Sequence, residues 1–199
     1  MSNEKYHHGD LRNALIQHAY KVIEEKGVES LSLRGLAKDL GVSHGAPNRH
    51  FKSRLGLLSA LATDGYTSLA NATLAAADKI DSSDPIVRLN AAGKGFLRWA
   101  LSNRTSFVTI NHPEVINNAS PELVVAMRNF QGIIRQFVAE AQQAGRLSNL
   151  PTITVAMYTN AVPFGVATIL NNTVFEHKFS PEDCEQMVED VINLVVPID

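Results

Sequence analysis

Residues 43–52 combine small side chains with hydrogen-bond donors in a pattern that suits contact with phosphate groups and base edges. Small residues let a backbone approach a surface closely, whereas amide, imidazole and guanidinium groups donate hydrogen bonds to oxygen and nitrogen acceptors. The residues concerned are Ser43, His44, Gly45, Ala46, Asn48, Arg49 and His50. The alternative interpretation of the same residues is a solvent-exposed turn in a helical bundle.

Two short helices joined by a tight turn are needed to position this segment. Ser32 can cap the first helix, and Gly41 can take the positive φ that a sharp angle between helices requires. The second helix would be capped by Ser43 and reach about His50, with Pro47 tolerated because it lies near the helix start. An apolar underside is supplied by Leu33, Leu36, Ala37, Leu40 and Val42, with Phe51 behind it.

The rest of the chain also has helical periodicity, and no stretch alternates like a half-buried strand, so the sequence predicts an all-α fold of about nine helices. Asp10 can cap a first helix that Gly27 ends, and Ser53 can cap a long helix to about Ala77. Further helices are expected after Pro85 and Pro121 and over about 152–172 and 181–196. The region around 111–113 has no assignable boundaries.

Composition limits the class of protein. At 199 residues and 45% hydrophobic content, the chain can bury a sizeable core. Its polar N-terminus lacks the apolar run of a secretory signal, and its single cysteine, Cys184, provides neither a disulfide nor a zinc framework, so we expect a cytoplasmic protein. Residues 1–56 have a net charge of +3 and the remainder −5, which favours attraction of the N-terminal part to phosphate.

The stretch 147–175 contains no charged residue and is long enough on paper to cross a bilayer. Two prolines and several threonine and asparagine side chains would be costly against lipid, so we predict no membrane span. Burial both within its own domain and against a second subunit explains such a helix better. We therefore expect a homodimer formed through the last two helices.

Residues 6–62 resemble the N-terminal domain of the TetR family. The resemblance rests on Tyr6-His7-His8-Gly9-Asp10-Leu11-Arg12, Gly27, Leu33-Arg34-Gly35-Leu36-Ala37, Gly41-Val42-Ser43-His44-Gly45-Ala46-Pro47 and Arg49-His50-Phe51-Lys52. It implies a three-helix helix-turn-helix domain over 1–55, with its motif at 32–51. It also implies a larger helical domain over 56–199 for ligand binding and dimerisation.

The resemblance also implies a role for individual residues on double-stranded operator DNA. His44, Gly45 and Ala46 would face base edges, and Ser43 would cap the recognition helix. Phosphate contacts would come from Ser32, Arg34, Asn48, His50 and Lys52, while Arg49 would contact DNA or pair internally. The chain departs from the family at Asn48, where tyrosine is common, and at Arg54-Leu55, where a lysine-acid pair is usual, so Arg54 would supply the contact from that helix start.

A ligand cavity in the second domain is a further implication of the resemblance. Its candidate lining residues are Phe96, Trp99, Phe107, His112, Met127, Phe130, Tyr158 and Phe164, with Asn160 as a polar anchor. For each of them taken singly, ordinary core is the favoured interpretation. A small apolar or amphipathic ligand is expected, and a kink at Pro163, which frees the carbonyl of Thr159, is a plausible cavity wall.

Taken together, these features predict a repressor that a small molecule releases from a palindromic operator. One alternative keeps the DNA binding and replaces the small molecule with a protein partner. A helical enzyme is the remote alternative, because the sequence has no GxxxxGK[ST], GxGxxG after a strand, HExxH, GxSxG or paired-cysteine motif. We accordingly expect no catalytic residues, no metal ligands and no cofactor.

Overall fold

The described residues, 8–172 and 179–198 of a computed structural model, are helical with no strands, which confirms the all-α prediction. The helices are α1 (His8–Lys26), α2 (Leu33–Asp39), α3 (Arg54–Asp78), α4 (Pro85–Ser102), α5 (Arg104–Ile110), α6 (Pro113–Asn117), α7 (Pro121–Gln143), α8 (Thr152–Leu170) and α9 (Pro181–Val195). Two short 3₁₀ turns, Val28–Ser30 and Pro47–Arg49, lie on either side of α2.

Local capping signals in the sequence fix several helix ends. The Ser32 hydroxyl accepts a hydrogen bond from the Gly35 amide at 3.1 Å, and the Ser53 hydroxyl accepts one from Gly56 at 3.0 Å. Gly27 and Gly41 take φ values of 80° and 66°, a region that favours glycine. These four predictions are confirmed. The predicted cap at Asp10 is wrong, because α1 already begins at His8.

The segment after Gly41 is not the regular helix that the sequence predicts. Residues 44–46 form a turn and Pro47–Arg49 a single 3₁₀ turn, which has no side-chain cap, so Ser43 does not act as one. The bonds from Ala46 N to Ser43 O and from His50 N to Pro47 O span three residues, both at 2.9 Å. Pro47 has no amide hydrogen to give to Ser43 O, which removes the bond that an α-helix would make there.

The chain forms two compact units. The first contains Met1–Gly65 and Thr105–Val124, and the second contains Tyr66–Arg104 and Val125–Asp199. In the first unit the core consists of fully buried leucines from α1 to α3, among them Leu15, Leu31, Leu36, Leu57 and Leu58. The region near 111–113, which the sequence left unassigned, forms α5 and α6 and belongs to this unit.

In the second unit α4 is the central helix and packs against α8 and α9. Buried Asn90 donates to the carbonyl of Val196 at 2.8 Å and to the Asn193 side chain at 3.0 Å, so this buried amide on α4 is satisfied. Lys94 Nζ lies 2.5 Å from a carboxylate oxygen of Glu189 on α9. These polar contacts fix the register of α9 along α4.

Close packing of α3 on α4 depends on Gly95. A Cβ at this position would lie 2.5 Å from the Cβ of Ala76 and 2.9 Å from the carbonyl oxygen of Ala72. We therefore expect Gly95→Ala to destabilise the protein by about 1–3 kcal/mol, as overpacking does, despite the higher helix propensity of alanine. Gly132→Ala on α7 is the matched control, since its Cβ would meet nothing within 4 Å. Denaturant unfolding of both variants measures the difference, and equal stabilities would contradict this packing.

Candidate nucleic-acid interface and ligand cavity

The polar side chains singled out around the helix-turn-helix lie on the outside of the first unit. Eight of the predicted residues are exposed, namely Ser32, Arg34, Ser43, His44, Gly45, Asn48, Arg49 and Lys52. Ala46 and His50 are half-buried. The ten residues lie at the start of α2, in the 3₁₀ turn after it or in the segments next to that turn, and none is part of the packed core. This group of ten is called the recognition surface below.

Buried residues directly behind the recognition surface hold it in place. Pro47 is buried and Phe51 is 5% exposed, so the first residue of the 3₁₀ turn and the residue two positions after its end are inserted into the unit. The Val42 amide donates to the Ala37 carbonyl at 3.0 Å and joins the turn to α2. On the outer side of Phe51, the Arg12 guanidinium lies 5.5 Å from the ring centroid, in a cation–π contact.

A hydrogen bond joins α1 to α2 beside this surface. His18 Nε2 lies 3.1 Å from a carboxylate oxygen of Asp39. The hydrogen bond from His18 lowers the pKa of Asp39, so the stabilising contribution of this carboxylate is present at neutral pH and is lost only as acid takes the pH through the lowered value. Both side chains are partly exposed, which keeps this contribution small.

Arg49 and His50, two basic residues of the recognition surface, differ in which of their nitrogen atoms a ligand can reach. Arg49 is exposed and forms no ion pair with another described residue, which favours an external role over the internal pairing that the sequence left open. His50 has its Nε2 atom buried without a hydrogen-bond partner among the described residues. Only the Nδ1 edge of that ring therefore remains for a contact with phosphate.

Arg54 does not point outward as the sequence suggested. Its Nε donates to the Leu31 carbonyl and its Nη2 to the Val28 carbonyl, both at 2.9 Å, while Nη1 pairs with Glu114. Glu29 lies 3.6 Å from Nη2. The guanidinium is thus fully engaged inside the first unit, and the expected phosphate contact from this helix start is wrong.

Three of the predicted cavity residues come together in the second unit. Phe96 and Phe130 stack with their centroids 6.0 Å apart, and Phe130 lines a cleft of about 300 Å³ between α7 and α8. Asn160 lines the same cleft and also a narrow cavity of about 20 Å³ beneath it, which Phe96 and buried Pro163 help to enclose. Ile134 borders both spaces, so the outer cleft and inner cavity adjoin each other.

The remaining cavity candidates lie elsewhere. Phe107 and His112 belong to the first unit, and Trp99 faces a different groove. Tyr158 is 57% exposed, and Met127 and Phe164 are half-buried residues that line neither of the two spaces. Sequence reasoning missed the residues that complete the cleft, which are Gln131, Ile134, Arg135, Ile153, Ala156 and Met157. Their spacing of three and four along α7 and α8 was the available signal.

A larger groove of about 720 Å³ runs along α4, from Val87 to Ser102, a span of about 22 Å at the helical rise. Its floor consists of small residues, Ala72, Ala75, Ala76, Ala91 and Gly95. Lys79, Lys94 and Arg98 line its sides. Glu189 pairs with both Lys94 and Arg98, so much of this positive charge is already compensated.

The outer face of α8 is unusually apolar for an exposed helix surface. Met157, Tyr158 and Ile169 are 66%, 57% and 53% exposed. Between them, Thr154, Ala161 and Thr168 repeat every seven residues and are exposed as well. By length and composition α8 alone among the described helices could cross a membrane, which is weak evidence for a span because core and interface helices pass the same test.

The described residues contain no group of three or more histidine, cysteine or acidic side chains placed to hold a metal ion. The candidate binding sites are therefore the recognition surface in the first unit and the cleft and groove in the second. A surface of exposed donors is suited to binding acceptors such as phosphate, and the cleft is suited to a small organic molecule.

The recognition surface lies within the part of the chain that matches a known protein family. The sequence model of bacterial regulatory proteins of the tetR family matches residues 15–61. The HTH-type transcriptional regulator Rv1816 of Mycobacterium tuberculosis is 34% identical over 105 residues, and the match covers 48% of this chain and 44% of that protein. The chain therefore spans less than half the length of the curated relatives it matches.

Solved structures match nearly the whole chain. A protein of unknown function from Rhodococcus sp. RHA1 superposes with a TM-score of 0.79 at 30% identity, with 97% of each chain covered. AibR, solved in complex with isovaleryl coenzyme A and operator DNA, superposes with a TM-score of 0.72 at 15% identity, over 94% of this chain and 99% of its own. At that identity the second likeness shows the fold alone.

Proposed function

Because residues 15–61 match the sequence model of bacterial regulatory proteins of the tetR family, we propose that the chain is a transcriptional repressor of this family. A small molecule bound in the second unit would release it from a palindromic operator. The observation that carries this proposal is the recognition surface, whose polar residues are exposed while Pro47 and Phe51 behind them are buried. We assign it to the cytoplasm and propose no catalytic activity.

On the operator, the residues of the turn would divide between bases and backbone. His44, Gly45 and Ala46 would face base edges, because they are small or polar and lie at the outer bend of the chain. Phosphates would be held by exposed side chains on either side of that bend, namely Ser32, Arg34, Ser43, Asn48, Arg49 and Lys52, with His50 contributing through Nδ1. The short 3₁₀ turn would present this segment to the major groove.

Two copies are needed to read a palindrome, and the exposed face of α8 is the surface that would join them. Thr154, Ala161 and Thr168 form a line of small side chains that lets a second helix approach closely, with Met157 and Ile169 beside it. On α9, Leu194 is 81% exposed and would add to the same interface. The two recognition surfaces would then reach half-sites about 34–36 Å apart.

The cleft between α7 and α8 is the site we propose for the effector. A volume of about 300 Å³ lies at the small end of ligand sites, which favours a short apolar or amphipathic molecule. Exposed Arg135 at the rim and Asn160 inside would hold its polar end, and Phe130 and Ile134 its apolar part. AibR was solved in complex with isovaleryl coenzyme A. Only the acyl end of such a ligand would fit a cleft of this size, and acyl coenzymes A are the first ligands to test.

A protein partner in place of the effector is the second candidate, and the groove along α4 is the observation that favours it. Its floor of alanine and glycine would accept one face of a helix. Release from DNA on addition of a small molecule alone supports the effector. Release only on addition of a second protein supports the partner.

Recovery of bound fragments from sheared genomic DNA, followed by affinity measurements on the recovered duplex over a range of salt concentrations, tests the DNA-binding role. We expect one or a few palindromic sites and an affinity that falls steeply with salt, because phosphate contacts release counterions. Absence of salt-sensitive binding to any duplex would refute the proposal. Short-chain and long-chain acyl coenzymes A added to the bound complex then test the effector.

Two single changes separate the backbone and base contacts. Lys52→Ala should weaken binding to every duplex alike and flatten the salt dependence by about one unit per protomer. Ala46→Ser should instead change which operator sequence is preferred and leave the salt dependence intact. Both residues lie on the recognition surface, so each variant serves as the control for the other. A uniform loss for both would contradict this assignment of roles.

A further inference from the structure

We infer that Arg54 is a positioning residue for DNA binding, an inference that rests on the function proposed above. Its guanidinium donates to the carbonyls of Val28 and Leu31, the connection that leads into α2. Leu31 is followed directly by Ser32, the N-cap of α2, and Arg34 is in the first turn of that helix. Arg54 therefore fixes the start of α2, and with it two residues of the recognition surface.

The geometry requires an arginine at this position. Nε and Nη2 are adjacent donors of one rigid planar group, and they reach two carbonyls on one short turn, each at 2.9 Å. The carbonyl of Leu31, a residue 1% exposed, accepts a hydrogen bond from Arg54. A lysine at 54 would keep the charge but has a single nitrogen, which cannot hold both oxygens in the same planar arrangement.

Acidic residues on two other segments hold the guanidinium in this orientation. Glu114 on α6 pairs with Nη1, and Glu29 lies 3.6 Å from Nη2. His112, at the start of α6, lies 3.2 Å from Glu29 through its Nε2 atom. The four side chains form one polar cluster, which attaches α6 to the turn before α2. The position of α2 therefore depends on α6 through Arg54.

This arrangement predicts a distinctive DNA-binding phenotype. Arg54→Lys should weaken binding to the duplex recovered with the wild-type protein by about 10-fold, the effect of losing one charge-assisted hydrogen bond. The salt dependence should flatten by up to about one unit per protomer, because the displaced Arg34 loses its phosphate contact. Lys52→Ala, measured in parallel, flattens the salt dependence and is the positive control. An Arg54→Lys protein with wild-type affinity and salt dependence would overturn the inference, because lysine keeps the charge and could replace arginine at a phosphate but not at the two carbonyls.

A double-mutant cycle separates positioning from a general loss of stability. If Arg54 acts through α2, Arg34→Ala should cost less affinity in the Arg54→Lys background than in the wild type, because Arg34 is already displaced. Additive losses would mean that Arg54 does not act through this helix. Glu114→Gln, which keeps both carbonyl contacts, should show the same coupling with a smaller loss, and it provides a second variant should Arg54→Lys fold poorly.

Amide hydrogen exchange in the free protein tests the same inference without DNA. Exchange of the α2 amides around Leu36 should be about 10-fold faster in Arg54→Lys, while amides of α4 in the second unit stay unchanged. Unaltered exchange in α2 would refute the positioning role even if the protein bound no DNA. Conversely, faster exchange in a protein that binds no duplex would refute the proposed function and leave the positioning of α2 standing.

Discussion

Replacing Ala161 with arginine is expected to make the protein monomeric and to weaken its binding to the palindromic duplex by at least about 100-fold. Ala161 is exposed in the middle of the α8 face, between Thr154 and Thr168. An arginine there would place a long charged side chain where the proposed dimer brings two helices close together, and its charge would lose water on burial. A monomer engages only one half-site, so the gain from linking two contacts disappears.

Sedimentation equilibrium and a gel-shift titration on the same samples measure the two effects. Ala144→Arg is the matched control, because Ala144 is also exposed but lies in the turn after α7 and not on α8. The control should stay dimeric and bind DNA like the wild type. A dimeric Ala161→Arg protein would show that the subunits meet elsewhere, whereas a monomer with undiminished affinity would show that one recognition surface suffices.

The parts of the fold that could be predicted from sequence are those set by neighbouring residues. Hydroxyl caps at Ser32 and Ser53 and the positive φ at Gly27 and Gly41 depend on interactions within four residues, and all four are present. The spacing of apolar residues gave the long helices to within a few residues at each end, because one face of each is buried. Because the buried face limits where each helix can run, packing left few alternative helix boundaries.

The predictions that failed depend on competing local effects or on distant contacts. Pro47 is compatible with the start of a helix, yet the segment takes 3₁₀ geometry, in keeping with the hydrogen bond that this proline cannot make. Arg54 was expected at phosphate, but its partners Leu31 and Glu114 are 23 and 60 residues away in sequence. No pattern of spacing reveals a contact of that kind.

Periodicity identifies which side chains are buried but not which cavity they line. Phe107 and Phe130 are equally well buried, at 3% and 5% exposure. One lies in the core of the first unit and the other beside the proposed effector cleft. The exposed residues of the recognition surface were easier to select, because an outward-facing segment without large apolar residues is informative by itself.

Replacing Phe51 with alanine is expected to remove about 3–5 kcal/mol of stability, the typical cost of deleting a buried aromatic side chain. The residue is 5% exposed, so its ring anchors the recognition surface from within. Its backbone amide also donates to the Pro47 carbonyl at 2.9 Å. A loss of this size is a large part of the total stability of a typical domain. Binding to the duplex should therefore fall in proportion to the unfolded fraction.

The expected loss is centred on the unit that contains Phe51. Trp99, the single tryptophan of the chain, lies in the second unit, so its fluorescence reports that unit, while amide exchange in α2 reports the first. We expect exchange in α2 to accelerate more than the fluorescence transition shifts. Phe179→Ala is the matched control, because Phe179 is 42% exposed and its loss should be nearly neutral. Equal effects of the two changes would mean that Phe51 does not anchor the turn, and the recognition surface would then owe its shape to Pro47 and the Val42 contact alone.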